Sequence, residues 1–177
     1  MSKPSEPDDV KLVFSIFSPE RPLIRKTIEN DLRERFGYTD WISPELFFDK
    51  SMYYAREMGW PLYRRFVSFR DLIRPDSIVS IKLYTNEIEA KYSLNGKRKI
   101  NIDPGYISLE RFVLVTGKNH AHRIYLSHGI YADLTLIYKG KSYRPLEWTY
   151  PDYAEPEMIA YFNEIRQKYK DQLRGKG

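Results

Sequence analysis

Residues 11–17, KLVFSIF, carry apolar side chains on both faces of an extended segment, the pattern of a strand at the centre of a sheet. Helical spacing follows it. Ser18-Pro19 opens the segment, Ile24, Ile28, Leu32 and Phe36 recur every fourth residue, and Gly37 stands where a helix stops. Residues 41–48 read as a second strand and residues 65–69 as a third. Between them Gly59 and Pro61 break residues 49–63 into a loop with about one helical turn. A second helix starts near Asp76, with Ile78, Ile81, Thr85, Ile88 and Tyr92 on one stripe, and ends at Asn95-Gly96. Residues 99–103 form a strand with Ile100 and Ile102 on its buried face, closed by Pro104-Gly105.

This β-α-β-β-α-β order predicts an α+β fold with a ferredoxin-like core, in which two helices cover one face of an antiparallel sheet. Residues 111–116 look buried on both faces. With residues 122–126, 130–138 and 143–148 they extend that sheet or bend over it. A C-terminal helix over residues 157–173 presents Ile159, Phe162, Ile165, Tyr169 and Leu173, with Pro156 in its first turn. No repeat, linker or low-complexity tract interrupts the pattern, so residues 11–177 read as one domain behind a flexible lead-in of residues 1–10.

The chain has no cysteine, which removes disulfides, zinc–thiolate sites and thiol nucleophiles together. No apolar run approaches the roughly 18 residues that cross a bilayer, and the first ten residues lack a secretory apolar stretch. The expectation is a soluble, cytoplasmic protein with no membrane partner. Its 29 basic and 24 acidic residues are mixed along the chain, so a net charge of +5 permits an anionic ligand without demanding one. Fifteen tyrosines suit half-buried sheet faces and, equally, stacking on a ligand.

The hairpin of residues 122–138 concentrates the polar groups. With Ser127-His128-Gly129 as a three-residue turn, Leu126 faces Ile130, and alternation gathers Ile124, Leu126, Ile130, Ala132, Leu134 and Leu136 on one face. The other face pairs Tyr125 with Tyr131 and Arg123 with Asp133, with Thr135 beyond. Such an Arg–Asp pair either stabilises the sheet by about 0.2–1 kcal/mol or holds an anion, with Asp133 orienting the guanidinium or binding a metal. His122 falls on the apolar side, as a core histidine or as an acid–base group. His120 and His122 form an HxH pair without a further ligand at metal-site spacing. Asp103, at a strand end before Pro104-Gly105, is placed either for catalysis or for capping the turn, and Glu147 and Asp152 in LEWTYPDY offer further carboxylates.

Two motif matches carry no function. Gly140-Lys141-Ser142 ends like a P-loop but lacks the upstream glycine and a following helix. Glu87, Glu89 and Lys91 spell an ExExK string, yet on a helix residues two apart diverge, which leaves Glu87 and Lys91 as a surface pair.

Longer strings carry a resemblance. NIDPGYIS at residues 101–108, HRIYLSHGIYADLTLIY at 122–138, LEWTYPDY at 146–153, MGWPLYRRFVSF at 58–69 and IKLYTNEIEAKY at 81–92 resemble the prokaryotic family called domain of unknown function 4416. The resemblance covers nearly the whole chain and implies no particular activity or catalytic residues. Members are sometimes labelled GTP-binding. This chain has neither a P-loop nor an NKxD motif, so the label points only to a phosphate-bearing ligand.

The leading expectation is a binding protein or small enzyme for an anionic, nucleotide-like ligand. Arg123 would hold the anion, and Asp103, Asp133 and Glu147 would position the ligand or a divalent ion. His122 would act in acid–base chemistry, and Tyr125, Tyr131 and Asp152 would complete the contacts. If the protein is an enzyme, phosphoester or nucleotide hydrolysis needs only positioning, charge and a metal option. The alternatives are an RNA-binding module that stacks bases on sheet aromatics, and a non-catalytic scaffold or oligomer subunit with tyrosines at its interface.

Overall fold

The computed structural model describes residues 1–49 and 52–175. Strand β1 (Lys11–Ser18) is buried along its whole length, as its two apolar faces require. It lies between β4 (Tyr63–Phe69) and β5 (Asn101–Ile107), antiparallel to both. The sheet continues beyond β4 with β2 (Thr39–Ile42) and β3 (Leu46–Phe47). Beyond β5 come β6 (Arg111–Thr116), β8 (Ile130–Lys139) and, on the far side of β8, β7 (Arg123–Ser127) and β9 (Ser142–Pro145). All nine described strands pair antiparallel in the order β2-β4-β1-β5-β6-β8-β7, with β3 on β4 and β9 on β8.

Helix α1 is a continuous run of Arg21–Lys26, a π-helical stretch Thr27–Leu32, and Arg33–Phe36. It stops at Gly37, whose φ of 79° is open to glycine at little cost. Its Ile24, Ile28 and Leu32 pack with Ile78, Ile81 and Ile88 of α3 (Ile78–Lys91) on Leu12, Phe14 and Ile16 of β1. The opposite sheet face meets α4 (Pro156–Gly175), whose Phe162, Ile165 and Tyr169 cluster with Val13, Phe66 and Phe112. Each such fully buried apolar side chain contributes about 1.5–3 kcal/mol, which makes β1 the shared wall of two cores. Lys11 is enclosed as well: it donates to Asp40 and, at 2.6 Å, to Gln172, while burial pulls its pKa down.

Several local expectations change. The strand expected over residues 41–48 is two short strands, because Pro44 interrupts the ladder and the Ser43 hydroxyl accepts the Phe66 amide at 3.0 Å instead. The loop expected over residues 49–63 contains α2 (Met52–Met58), held by Met58 and Tyr54 packing against Phe17, Phe48 and Leu62; residues 50 and 51 lie outside the described residues. Pro104-Gly105 does not close a strand. β5 runs through both residues to Ile107, and pairing with β6 begins only at Gly105, one residue beyond the missing proline amide. A Cβ on Gly105 would stand 2.5 Å from the Val113 carbonyl oxygen, so close approach of β6, not a turn, explains the glycine. The strand expected over residues 143–148 ends at Pro145, beyond which the chain turns.

The β7–β8 hairpin keeps its expected pairs, Arg123 with Asp133 and Tyr125 with Tyr131. Its turn differs: Ser127 faces Ile130, the register shifts at Leu126, and His128-Gly129 forms a two-residue turn with φ of 52° and 77°. The sense of burial is also reversed at this edge. Ile124 is 69% exposed, whereas Asp133 and Thr135 are buried, because residues 146–153 fold back over the polar side. Gly140-Lys141 is the β8–β9 turn, at φ of 62° and 67°. Among the described residues no helix is long and apolar enough to cross a membrane.

Candidate functional site

Four of the nominated residues meet in one place. Asp103, Arg123, Asp133 and Asp152 line a cleft of about 680 Å³ at the Phe17 end of β1, floored by β5 and β6 and walled by α2, α3 and residues 150–153. The cleft brings together Arg64, Lys82, Arg98, Lys118 and Arg123 with the carboxylates of Glu89, Asp103, Asp133 and Asp152. Tyr53, Tyr54 and Tyr150 supply aromatic wall beside the charges.

At its deep end α3 carries two charges inward. Lys82 Nζ donates to the Ile102 carbonyl at 3.1 Å and lies 3.7 Å from Asp103 Oδ1. Glu89 accepts the Ile102 amide at 2.7 Å and Arg98 Nη1 at 3.1 Å. Burial pushes the Glu89 carboxyl above its ordinary pKa, against the opposing pull of Lys82. Arg98 is clamped by both oxygens of Glu57, which raises its already high pKa and lowers that of Glu57. Asn101 Nδ2 donates at 2.7 Å to Asp103, whose side chain stays 34% exposed and faces the opening. Asp103 therefore sits mid-strand between a lysine and an amide, not at the strand end expected for it. The neighbouring Tyr54 hydroxyl is pushed up to about 12 by burial and by the Asp103 charge.

The outer wall is built on the hairpin pair. Arg123 Nε donates to Asp133 at 2.9 Å, its Nη1 to the Lys118 carbonyl at 2.9 Å and its Nη2 to the Tyr150 hydroxyl at 2.9 Å. His122 is not on the apolar face. It stands just ahead of β7, with Nε2 3.1 Å from the same Asp133 oxygen and its ring stacked on Trp148 at 5.2 Å. That places it behind the carboxylate and outside the cleft lining. His120 Nδ1 lies 3.0 Å from His122 Nδ1, and no group of three or more metal-binding side chains forms among the described residues. Tyr125 and Tyr131 contact each other edge to face on the hairpin, away from the lining, and Glu147 is exposed outside it.

On the third side Arg64 donates to Asp152 from within a ring of aromatic side chains, 3.8 Å from the Phe48 ring centre. Arg64, Lys82, Arg98 and Lys118 escaped the sequence reading, and Glu89 was set aside there with the ExExK string. The signal for two of them was present: Lys82 and Glu89 bracket Thr85 on the stripe of α3 that faces the sheet. Residues two apart do diverge around this helix. That divergence sends Glu89 inward, while Lys91 pairs with Asp31 at 2.7 Å and not with Glu87.

The family model described as Domain of unknown function (DUF4416) matches residues 8–169. The chain belongs to that family. Every residue of the cleft lies inside the matched span, so the cleft is part of the family's domain. No curated protein and no solved structure matches the chain.

Proposed function

We propose that this member of the family binds an anionic, nucleotide-like small molecule in the cleft and, if it turns the ligand over, hydrolyses a phosphoester. One observation carries the reading: guanidinium and ammonium groups from five separate segments meet four carboxylates and four tyrosine rings around one opening. Lys118 stands exposed at the mouth, and Arg123, its side chain 7% exposed, lies beneath it with every guanidinium nitrogen donating, so a phosphate or carboxylate would take the Nη2 donor in place of the Tyr150 hydroxyl. Tyr53 and Tyr150, 64% and 51% exposed, offer rings to a base. Asp103, held by Asn101 and Lys82 and open to solvent, is the group placed to accept a proton or, with Asp152, to hold a divalent ion. His122 and Asp133 act behind Arg123 as positioning residues.

We read the β1-α1-β2-β4-α3-β5 half as a ferredoxin-like core. The order β2-β4-β1-β5, with α1 and α3 on one face, supports that reading. Isothermal titration with nucleoside mono-, di- and triphosphates, with and without magnesium, tests the ligand. Arg123→Ala should weaken the best of them by about tenfold or more, a lost charge-assisted hydrogen bond being worth about 1.5–3 kcal/mol. Unchanged affinity in that variant would remove the cleft as the binding site.

A further inference from the structure

A second basic concavity lies on the other side of α1. It holds about 660 Å³ between that helix and the β2 edge of the sheet, and Arg21, Arg25, Arg33 and Arg65 face it with Glu29 and Glu45 as the counter-charges among the described residues. The helix period explains the row. Ile24, Ile28 and Leu32 turn to the core, which leaves Arg25, Glu29 and Arg33 successive on the outer side. Arg65 joins them from β4, on the face α1 covers. Arg21 is taken up by Glu45 at 2.9 Å, whereas Arg25, its side chain 77% exposed, only approaches Glu29 at 4.0 Å, a surface pair worth little. The other two keep their charge. Arg65 Nη1 donates to the neutral Ser43 carbonyl at 2.8 Å, and Arg33 stacks 4.2 Å from the ring centre of Tyr38, which is itself 64% exposed.

We infer that this groove binds a short stretch of single-stranded nucleic acid, with Arg25, Arg33 and Arg65 along the phosphates and one base on the open face of Tyr38. Arg25 and Arg33, two turns apart on the helix, with Arg65 beside them reach further than one phosphate needs, and a base stacked on an arginine-backed tyrosine is the sequence-tolerant contact of single-strand binders. The site is separate from the cleft, and none of its arginines lines that cleft.

The test is fluorescence anisotropy of short labelled oligouridine and oligothymidine over a salt series, on the full chain. The protein should bind both with similar affinity, since the contacts are to phosphate and ring face. Arg33→Ala/Arg65→Ala should weaken binding at least tenfold and lower the log–log salt slope by about 1.4, at about 0.7 for each of two phosphates. Tyr38→Ala should cost about tenfold without changing the slope. Should the double variant fail to fold by thermal melting, Arg25→Glu on the exposed helix face makes the same test, with a loss of at least tenfold expected. Arg123→Ala in the cleft should leave these affinities unchanged. The inference is overturned by no binding to about 100 µM protein at low salt, by equal affinity for a duplex of the same length, by more than a tenfold preference between the two oligonucleotides, or by loss of binding in Arg123→Ala.

Discussion

Replacing Arg64 by methionine isolates the interaction that holds residues 150–153 against the cleft. The Arg64 and Asp152 side chains are 7% and 13% exposed, and the guanidinium packs among Phe17, Phe48, Phe66 and Tyr153. Methionine fills much of the same apolar space but leaves a nearly enclosed carboxylate without its partner. Breaking a buried pair from one side costs about 3–5 kcal/mol, and the solvent edge of Asp152 sets the expectation at about 3. In a chain of 177 residues that lowers Tm by about 6–12 °C. Arg64→Met/Asp152→Asn removes both charges together and should cost only about 1–1.5 kcal/mol, since no charge remains buried alone. Urea denaturation of the parent, both single variants and the double variant closes the cycle, with a coupling expected of about 1.5–2 kcal/mol plus whatever Asp152→Asn costs alone. A double variant no more stable than Arg64→Met would show that the carboxylate was never stranded, and the burial argument for this wall of the cleft would fail.

Gly105→Ala should destabilise by about 1–3 kcal/mol in urea, because the new Cβ meets a backbone oxygen that cannot rotate away. A neutral result would mean that β6 can shift outward freely. Burial holds the Glu89 proton above its ordinary pKa of 4.5, so the stability this proton confers is full below about pH 4.5 and is lost as pH rises through the folded-state value. Between acid and neutral pH the parent should therefore lose stability relative to Glu89→Gln, and parallel urea midpoints across that range would exclude Glu89 as the source. Thr149→Val removes an acceptor for the Leu146 amide at 2.8 Å and a donor to the Thr135 carbonyl at 2.6 Å. It should cost about 1–3 kcal/mol and speed hydrogen exchange across residues 146–149, and unchanged exchange there would count against this clasp.

The central strand, both long helices and the C-terminal helix were legible because each carries a long periodic stripe against the sheet. The Arg123–Asp133 and Tyr125–Tyr131 pairs were legible because only one register separates apolar from polar residues on that hairpin. Which of its faces is covered was not, since Trp148 and Thr149 reach it from a segment whose path no local pattern fixes. Pro104-Gly105 misled for a similar reason: turn propensity is local, whereas the approach of β6 to Gly105 is tertiary. In the cleft the residues on β5, β8 and the 146–153 segment were nominated from chemistry and strand position. Arg64 and Arg98 depend on partners 88 and 41 residues away, Asp152 and Glu57, and no spacing rule links them. Glu89 and Lys82 could have been found by asking which charges share the stripe of Ile81 and Ile88.

The two rims of the sheet have a common construction. The outer side of β4 is shared by β2, of four residues, and β3, of two; that of β8 is shared by β7, of five, and β9, of four. Each rim is thus a pair of short segments with a break between them, at Pro44 on one side and between β7 and β9 on the other. A foreign strand docking at either rim would lose its ladder within about five residues, too few to repay the ordering of its backbone. A nine-stranded antiparallel sheet rich in valine, isoleucine and tyrosine is in this way protected against growing into a fibre from its margins.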